Sequence, residues 1–195
     1  NDVNEKPIIT SNSTYSVDEN QTAIGSITAT DESSELIYEL SGTDSASVSI
    51  NNLTGAMTFN SAPDYETKQT YSLIANVSDD SFTTKKAIQI SINNLNDNTP
   101  AITSSSSFTA DENQTAIGTV TATDADEDTL SYSISGSEIS INADTGVISF
   151  ASAPDYETKS SYSATVTASD GTKSATQDIT VSINDLNDES PVFTP

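Results

Sequence analysis

The 195-residue chain has no cysteine, no histidine, no arginine and no tryptophan, and its only cationic side chains are six lysines. Without cysteine there is no disulfide scaffold and no thiolate metal site. With histidine absent as well, the metals best served are hard cations that take oxygen ligands, calcium foremost. Positive charge is scarce against 29 acidic residues and a formal net charge of −23. No basic footprint exists for nucleic acid, and an anionic membrane surface is disfavoured. No apolar run approaches membrane-spanning length, so no membrane insertion is expected of this fragment, and no signal peptide is visible. Aromatics make up 6 % of the chain and hydrophobic residues 33 %. So low an apolar content can signal disorder, but the regular patterning described next argues for small cores in a polar fold.

What the chain does have, it has twice. Asp18-Glu19-Asn20-Gln21-Thr22-Ala23-Ile24-Gly25 returns as Asp111-Glu112-Asn113-Gln114-Thr115-Ala116-Ile117-Gly118. Ala62-Pro63-Asp64-Tyr65-Glu66-Thr67-Lys68 returns as Ala153-Pro154-Asp155-Tyr156-Glu157-Thr158-Lys159, and Leu95-Asn96-Asp97 as Leu186-Asn187-Asp188. The offsets are 111 − 18 = 93 and then 154 − 63 = 91 and 187 − 96 = 91, so two tandem copies of one module are present, with small differences in loop length. The expected domains are residues 1–97 and 98–195, joined by a short polar linker over 93–100. The chain begins and ends inside the repeated linker phrase, which suggests a piece of something larger.

Within each copy the apolar residues alternate with period two. Ile88, Ile90 and Ile92 share one face, as do Tyr71, Leu73, Ala75 and Val77. Tyr162, Ala164, Val166 and Ala168 repeat the pattern in the second copy, and so do Ile179, Val181 and Ile183. Asn51-Asn52-Leu53-Thr54-Gly55 and Asn142-Ala143-Asp144-Thr145-Gly146 read as hairpin turns. No stretch has a helical apolar period. The fold class is therefore all-β: two tandem immunoglobulin-like Greek-key β-sandwiches, antiparallel, of about seven strands each.

The best-matched islands are acidic, and a repeated core does not explain repeated acids. They fall after the first strand (Asp18-Glu19), in the loop after Pro63 (Asp64, Glu66) and in the linker (Asn94 to Asn98). If the first strand and that loop point to the same end as the last strand, all three converge. The second copy adds Asp124-Ala125-Asp126 and Asp170, both at strand ends.

Five motifs in this order resemble the cadherin repeat family: Asp18-Glu19-Asn20, Asp64-Tyr65-Glu66, Asn94-Leu95-Asn96-Asp97-Asn98-Thr99-Pro100, Ala122-Thr123-Asp124-Ala125-Asp126 and Ala168-Ser169-Asp170-Gly171. The resemblance covers essentially the whole chain, and its style is similar to bacterial cadherin-like repeats of large surface or secreted proteins. It implies about three calcium ions at the inter-repeat junction, each demanding about 6–8 oxygens. Carried over, the metal ligands are Glu19, Asp64, Glu66 and Asp97, with Asn94 and the Leu95 carbonyl at a middle ion. Asn96, through its carbonyl oxygen, joins Asp124, Asp126 and Asp170 at an outer one. The outward ends hold possible half-sites: Glu112, Asp155, Glu157, Asp185, Asn187 and Asp188 at one, and Asp2, Asn4, Asp31 and Asp79 at the other. Two departures weaken particular positions. Asn94 replaces the linker acid that Asp185 keeps, and Asp31-Glu32-Ser33 stands where the second copy has Asp124-Ala125-Asp126. The implied function is a calcium-rigidified adhesin or stalk module, extracellular or on the cell surface, whose partners are calcium, neighbouring repeats and another protein.

A calcium-dependent polysaccharide-binding module is the alternative function, although aromatics for sugar stacking are few. Asp124 to Asp128 resembles the start of an EF-hand, but Thr129 and Ser135 occupy the turn-glycine and bidentate-glutamate positions. Asp64 with Glu66 as a glycosidase pair lacks supporting cleft residues, so no catalytic residue and no enzyme activity are expected. Asn-x-Ser/Thr triplets at Asn12, Asn20, Asn52 and Asn113 arise by chance in a chain this rich in such residues. Tyr65 and Tyr156 are expected to pack as lids over the acidic loops.

Overall fold

The computed structural model describes residues 5–32 and 35–189. The chain divides into two compact units, Asn1–Leu95 and Asn96–Pro195. Each unit has the same two sheets. In the first, a four-stranded sheet runs in the order Thr14–Asp18, Thr83–Asn93, Thr70–Ser78, Ile37–Ser41, and a three-stranded sheet in the order Ala23–Ser26, Ala56–Phe59, Val48–Ile50. In the second, the four strands are Ser107–Asp111, Ser174–Asn184, Ser161–Ser169 and Ser131–Ile134, and the three are Ala116–Thr119, Val147–Phe150 and Ile139–Ile141. Two-residue ladders, Ile8–Ile9 with Ala29–Thr30 and Ala101–Ile102 with Ala122–Thr123, complete the units. They are the outer parts of interrupted first and second strands, and joining them gives the seven strands expected per sandwich.

The expected all-antiparallel pairing is corrected at one place in each unit. The first long strand runs parallel to the last, with Asp18 opposite Asn93 and Asp111 opposite Asn184. Both strands therefore end at the same end of their unit. The strand Thr70–Ser78 starts there too, with Thr70 opposite Ser91, so the loop containing Asp64 and Glu66 lies at that end. This single parallel ladder brings the first-strand acid, the loop acids and the residues after the last strand together.

The alternation predicted from sequence is the alternation observed. Along Thr70–Ser78, Tyr71, Leu73, Ala75 and Val77 face inward, and along the last strand Ile88, Ile90 and Ile92 do. Val166, Ala168, Ile179, Val181 and Ile183 do the same in the second unit. Each buried isoleucine is worth about 1.5–3 kcal/mol of transfer free energy. Phe59 packs edge-on to Tyr71 at 4.9 Å between centroids, and Phe150 lies 4.9 Å from Tyr162. Tyr65 and Tyr156 are half-buried against their cores, as their lid reading requires.

The hairpin turns need their glycines. Gly55 (φ +69°) and Gly146 (φ +71°) bring their Cα so close to the preceding strand that a Cβ would lie 2.1 Å from the carbonyl oxygens of Ile27 and Val120. Asn51 and Asn142 close the same turns by accepting two backbone N–H bonds each, at 3.0 Å.

Candidate metal centre

At the end of the first unit where the parallel ladder finishes, Glu19 is 1 % exposed, and its carboxylate accepts the Leu95 N–H at Oε1 and the Tyr65 N–H at Oε2, both at 2.8 Å. A Glu66 carboxylate oxygen lies within 4.8 Å of one from Glu19. The neighbouring backbone is tied in by Glu19 N–H to the Asn93 carbonyl and Asn20 N–H to the Pro63 carbonyl. Asp18, next to Glu19 in sequence, is on the opposite face and accepts from Asn93 Nδ2. Asp64 accepts the Thr67 N–H and hydroxyl on its two oxygens, and these bonds hold its carboxyl below the usual aspartate range. Asn94 and Leu95 directly follow the last strand, and Leu95 contributes its N–H to Glu19.

The corresponding end of the second unit repeats this construction. Glu112, also 1 % exposed, accepts the Tyr156 N–H at 2.8 Å and the Leu186 N–H at 2.7 Å. Glu112, Glu157 and Asp185 bring carboxylate oxygens within 4.8 Å of one another, and Glu157, Asp188 and Glu189 do likewise. Asp188 accepts from Asn113 Nδ2 at 2.5 Å, and Asp155 is occupied by Thr158 as Asp64 is by Thr67. A backbone hydrogen bond draws the Glu157 carboxyl down. Desolvation and the charges of Glu112, Asp185 and Asp188 outweigh that, and Glu157 titrates above the ordinary glutamate value. Asn187 is exposed within the same segment.

The opposite end of the second unit gathers Asn96, Asp97, Asn98, Asp124, Asp126 and Asp170. Asp126 is 6 % exposed, accepts the Asn98 N–H and Nδ2 at 2.7 Å each, and has an oxygen within 4.8 Å of one from Asp97. Its own N–H bonds Asp124 Oδ1 at 3.0 Å. Asp170 Oδ1 accepts two N–H bonds at 2.6 Å, from Thr172 and Lys173. The Lys173 amide bond is the leading reason that the Asp170 carboxyl is held below its ordinary range. The other oxygens are left over: Asp124 Oδ2, Asp170 Oδ2 and Asn96 Oδ1 are each buried without a hydrogen-bond partner. Buried acceptors are normally satisfied, and an ion is one physical reason for leaving them open. For Asn96 the open atom is the side-chain amide oxygen. Asp128, weighed in the sequence only as part of a rejected EF-hand, brings a carboxylate oxygen within 4.8 Å of Asp124 and Asp126. Its signal was the i, i+2, i+4 spacing of the three aspartates.

The matching end of the first unit is plainer. Asp79 Oδ1 accepts the Ser81 and Phe82 N–H bonds at 2.6 Å, and its Oδ2 is buried without a partner. Asp31 is half-buried, whereas the expected half-site residues Asp2 and Asn4 lie outside the described residues. The open atoms at these ends are all hard oxygens, and the donor set fits calcium.

Residues 106–184 match the family described as Cadherin domain. The chain is 33 % identical over 159 residues to human Protocadherin Fat 4, covering 73 % of this chain and 3 % of that protein. It is 44 % identical over 75 residues to mouse Cadherin-related family member 2, covering 37 % of this chain and 6 % of the relative. The chain thus spans only a small part of the length of these relatives. Among solved structures, mouse Cadherin-23 EC22-24 aligns with a TM-score of 0.79 at 26 % identity, over 94 % of this chain and 67 % of that one. Human Protocadherin-24 EC1-2 shares the fold with a TM-score of 0.80 at 21 % identity, over 94 % and 100 % of the two chains. These likenesses support placing the chain in the cadherin repeat family.

Proposed function

We propose that the chain is a calcium-binding pair of cadherin-like repeats from an extracellular or cell-surface adhesion protein, acting as an adhesive or stalk module. The observation that carries this reading is the set of three buried, unpartnered oxygens on Asn96, Asp124 and Asp170. Around them, Asp97 and Asp126 add carboxylates whose mutual repulsion a divalent cation would offset. Glu19, Asp64, Glu66, Asn94 and the Leu95 carbonyl would supply ligands from the first repeat. The order of the motifs in the sequence supports each half-site being completed by the adjoining repeat, with about three ions at the linker and 6–8 oxygens around each. Glu112, Asp155, Glu157, Asp185, Asn187 and Asp188 would serve a following repeat, and Asp31 and Asp79 a preceding one. Calcium, neighbouring repeats and a protein partner are the partners of this reading. The bacterial style is a reading of composition alone, and the relatives named above are animal proteins.

When bound, calcium supplies positive charge and coordination. The chain's own part is to hold Glu19 and Glu112 in fixed orientations by two backbone N–H bonds each, so that no rotamer search accompanies binding. Polysaccharide binding gains no support: among the described residues the only exposed aromatic is Phe82, which offers little surface for stacking sugars.

Titration calorimetry of the full chain with calcium, and melting in calcium against chelator, test the proposal. Calcium at about 100 times its dissociation constant should stabilise by about 2.7 kcal/mol, which for units of this size raises the midpoint by roughly 10 °C or more. No heat of binding together with coincident melts would overturn it.

A further inference from the structure

We propose that Lys173 is a tethered counter-ion of the acidic end formed by Asn96, Asp97, Asp124, Asp126 and Asp170: its ammonium fastens the backbone at Asp97 to the loop that follows Asp170 and lowers the affinity of that end for a divalent cation. This inference rests on the calcium reading above for its second half only. Lys173 ends the loop that begins at Asp170. The loop is closed by the Thr172 and Lys173 N–H bonds to Asp170 Oδ1, by Asp170 N–H to the Lys173 carbonyl at 3.2 Å, and by the Ser169 hydroxyl to the same carbonyl at 3.0 Å. These bonds set the Lys173 backbone beside the Asp170 carboxylate. The side chain then reaches across, and Nζ donates to the backbone carbonyl of Asp97.

The first unit provides an internal control. Its corresponding loop has the same bonds, from the Ser81 and Phe82 N–H groups to Asp79 Oδ1 and from Asp79 N–H to the Phe82 carbonyl. At the position of Lys173, 91 residues earlier (173 − 91 = 82), stands Phe82. The loop therefore folds without a cation, and the lysine is an addition of the second copy.

An ammonium has donors and no lone pair, so it satisfies acidic oxygens but cannot ligate a metal. Without calcium it sets a positive charge beside the Asp170 carboxylate and pins the Asp97 backbone. A calcium ion seeking the same oxygens meets a like charge that its tether keeps nearby. The same residue stabilises the metal-free end and opposes loading, which sets a higher calcium threshold at this end than the acids alone would give.

Two substitutions separate charge from hydrogen bond. Lys173→Gln removes the charge and keeps an N–H donor for the Asp97 carbonyl; Lys173→Met removes both. In calorimetry on the full chain, K173Q should bind calcium at its affected site about 3- to 10-fold more tightly than wild type, with a gap that shrinks as salt is raised. In chelator, K173M should melt about 2–6 °C below wild type. Unchanged or weaker calcium affinity in K173Q overturns the counter-ion role, and an unchanged chelated melt in K173M overturns the tether. If neither wild type nor K173Q took up calcium, the calcium reading itself would fall, and with it the affinity half of this proposal. The chelated melts would still decide the tether.

Discussion

Glu157 brings a carboxylate oxygen within 4.8 Å of one from Glu112, and Glu112 is almost wholly buried while Glu157 is exposed. The buried member is held by two backbone N–H groups, so it stays put. The carboxyl of the exposed member is pushed up by desolvation and by its acidic neighbours, against a backbone hydrogen bond that lowers it. Like charges so close repel, and a cation between them would relieve that repulsion.

That asymmetry has a pH consequence. The folded pKa of Glu157 lies above its ordinary 4.5. Between those two values the folded chain holds more protons than the unfolded one, so stability falls as pH rises through the window. In chelator, the melting temperature of wild type should rise on acidification from neutrality toward the ordinary glutamate value, and Glu157→Gln should lack that part of the rise. Asp44, Asp64 and Asp170 are shifted the other way from 3.8, so their contribution is lost as pH falls further through their lowered values. A wild-type minus E157Q difference that did not vary with pH would contradict the assignment.

Glu19 and Glu112 should matter even without metal. Glu19→Ala leaves the Tyr65 and Leu95 N–H groups without their carboxylate acceptor, and Glu112→Ala does the same to Tyr156 and Leu186. Each substitution should cost about 2–4 kcal/mol, read as a lowered urea midpoint in chelator. Gln, which keeps one carbonyl oxygen, should cost less. An Ala variant as stable as wild type in chelator would show that these glutamates serve the metal alone.

How much of this was legible in the sequence follows from which residues carry period and which carry geometry. Ile88, Ile90 and Ile92 announced their inward face because a strand buries every second side chain. Glu19, Glu66, Asp124 and Asp170 announced themselves as acids repeated in fixed order, and Asp126 through its place in Asp124-Ala125-Asp126. The parallel pairing of Asp18 with Asn93 could not be read, because period-two alternation is the same for either strand direction. Nor could the capture of Asp64 by Thr67, since a local side-chain bond depends on rotamers that spacing does not encode. Asp128 was visible as spacing, yet it was judged against an EF-hand loop to which it does not belong. Lys173 was silent, because one lysine among polar residues has no pattern until the fold brings it to the Asp97 carbonyl.

The two lysines of the repeated Asp-Tyr-Glu-Thr-Lys phrase should differ in worth. Lys68 pairs with Asp44, whose side chain is only 12 % exposed and also accepts the Ser72 N–H at 2.7 Å. Lys159 pairs with Glu138 at 2.6 Å, but that glutamate is 56 % exposed. Each ammonium also lies over a tyrosine, at 4.6 Å from Tyr71 and 4.3 Å from Tyr162. The cation–π contacts are alike, so the difference comes from the carboxylate. Lys68→Met should cost about 1–2 kcal/mol and Lys159→Met below about 1 kcal/mol. Equal losses for the two in denaturant titrations would show that the tyrosine contact, and not the half-buried aspartate, sets the value.

The turn glycines allow the sharpest separation of backbone strain from steric clash. Gly146 and Gly171 both have positive φ, +71° and +93°. At Gly171 a Cβ would meet nothing within 4 Å, so Gly171→Ala costs only the strain of a left-handed alanine, about 1–2 kcal/mol. At Gly146 the added Cβ would also lie 2.1 Å from the Val120 carbonyl oxygen, which accepts no relief from a side-chain rotation because it is backbone. The hairpin at Asn142 to Gly146 would have to move away from Val120, whose N–H donates to the Gly146 carbonyl at 2.9 Å. Gly146→Ala should therefore cost roughly 1–3 kcal/mol more than Gly171→Ala, and Gly55→Ala should match it in the first unit, where the Ile27 carbonyl takes the place of Val120. Denaturant midpoints of the three variants measured in chelator provide the comparison, and a Gly146→Ala chain no less stable than Gly171→Ala would mean that the turn has room the close approach to Val120 denies.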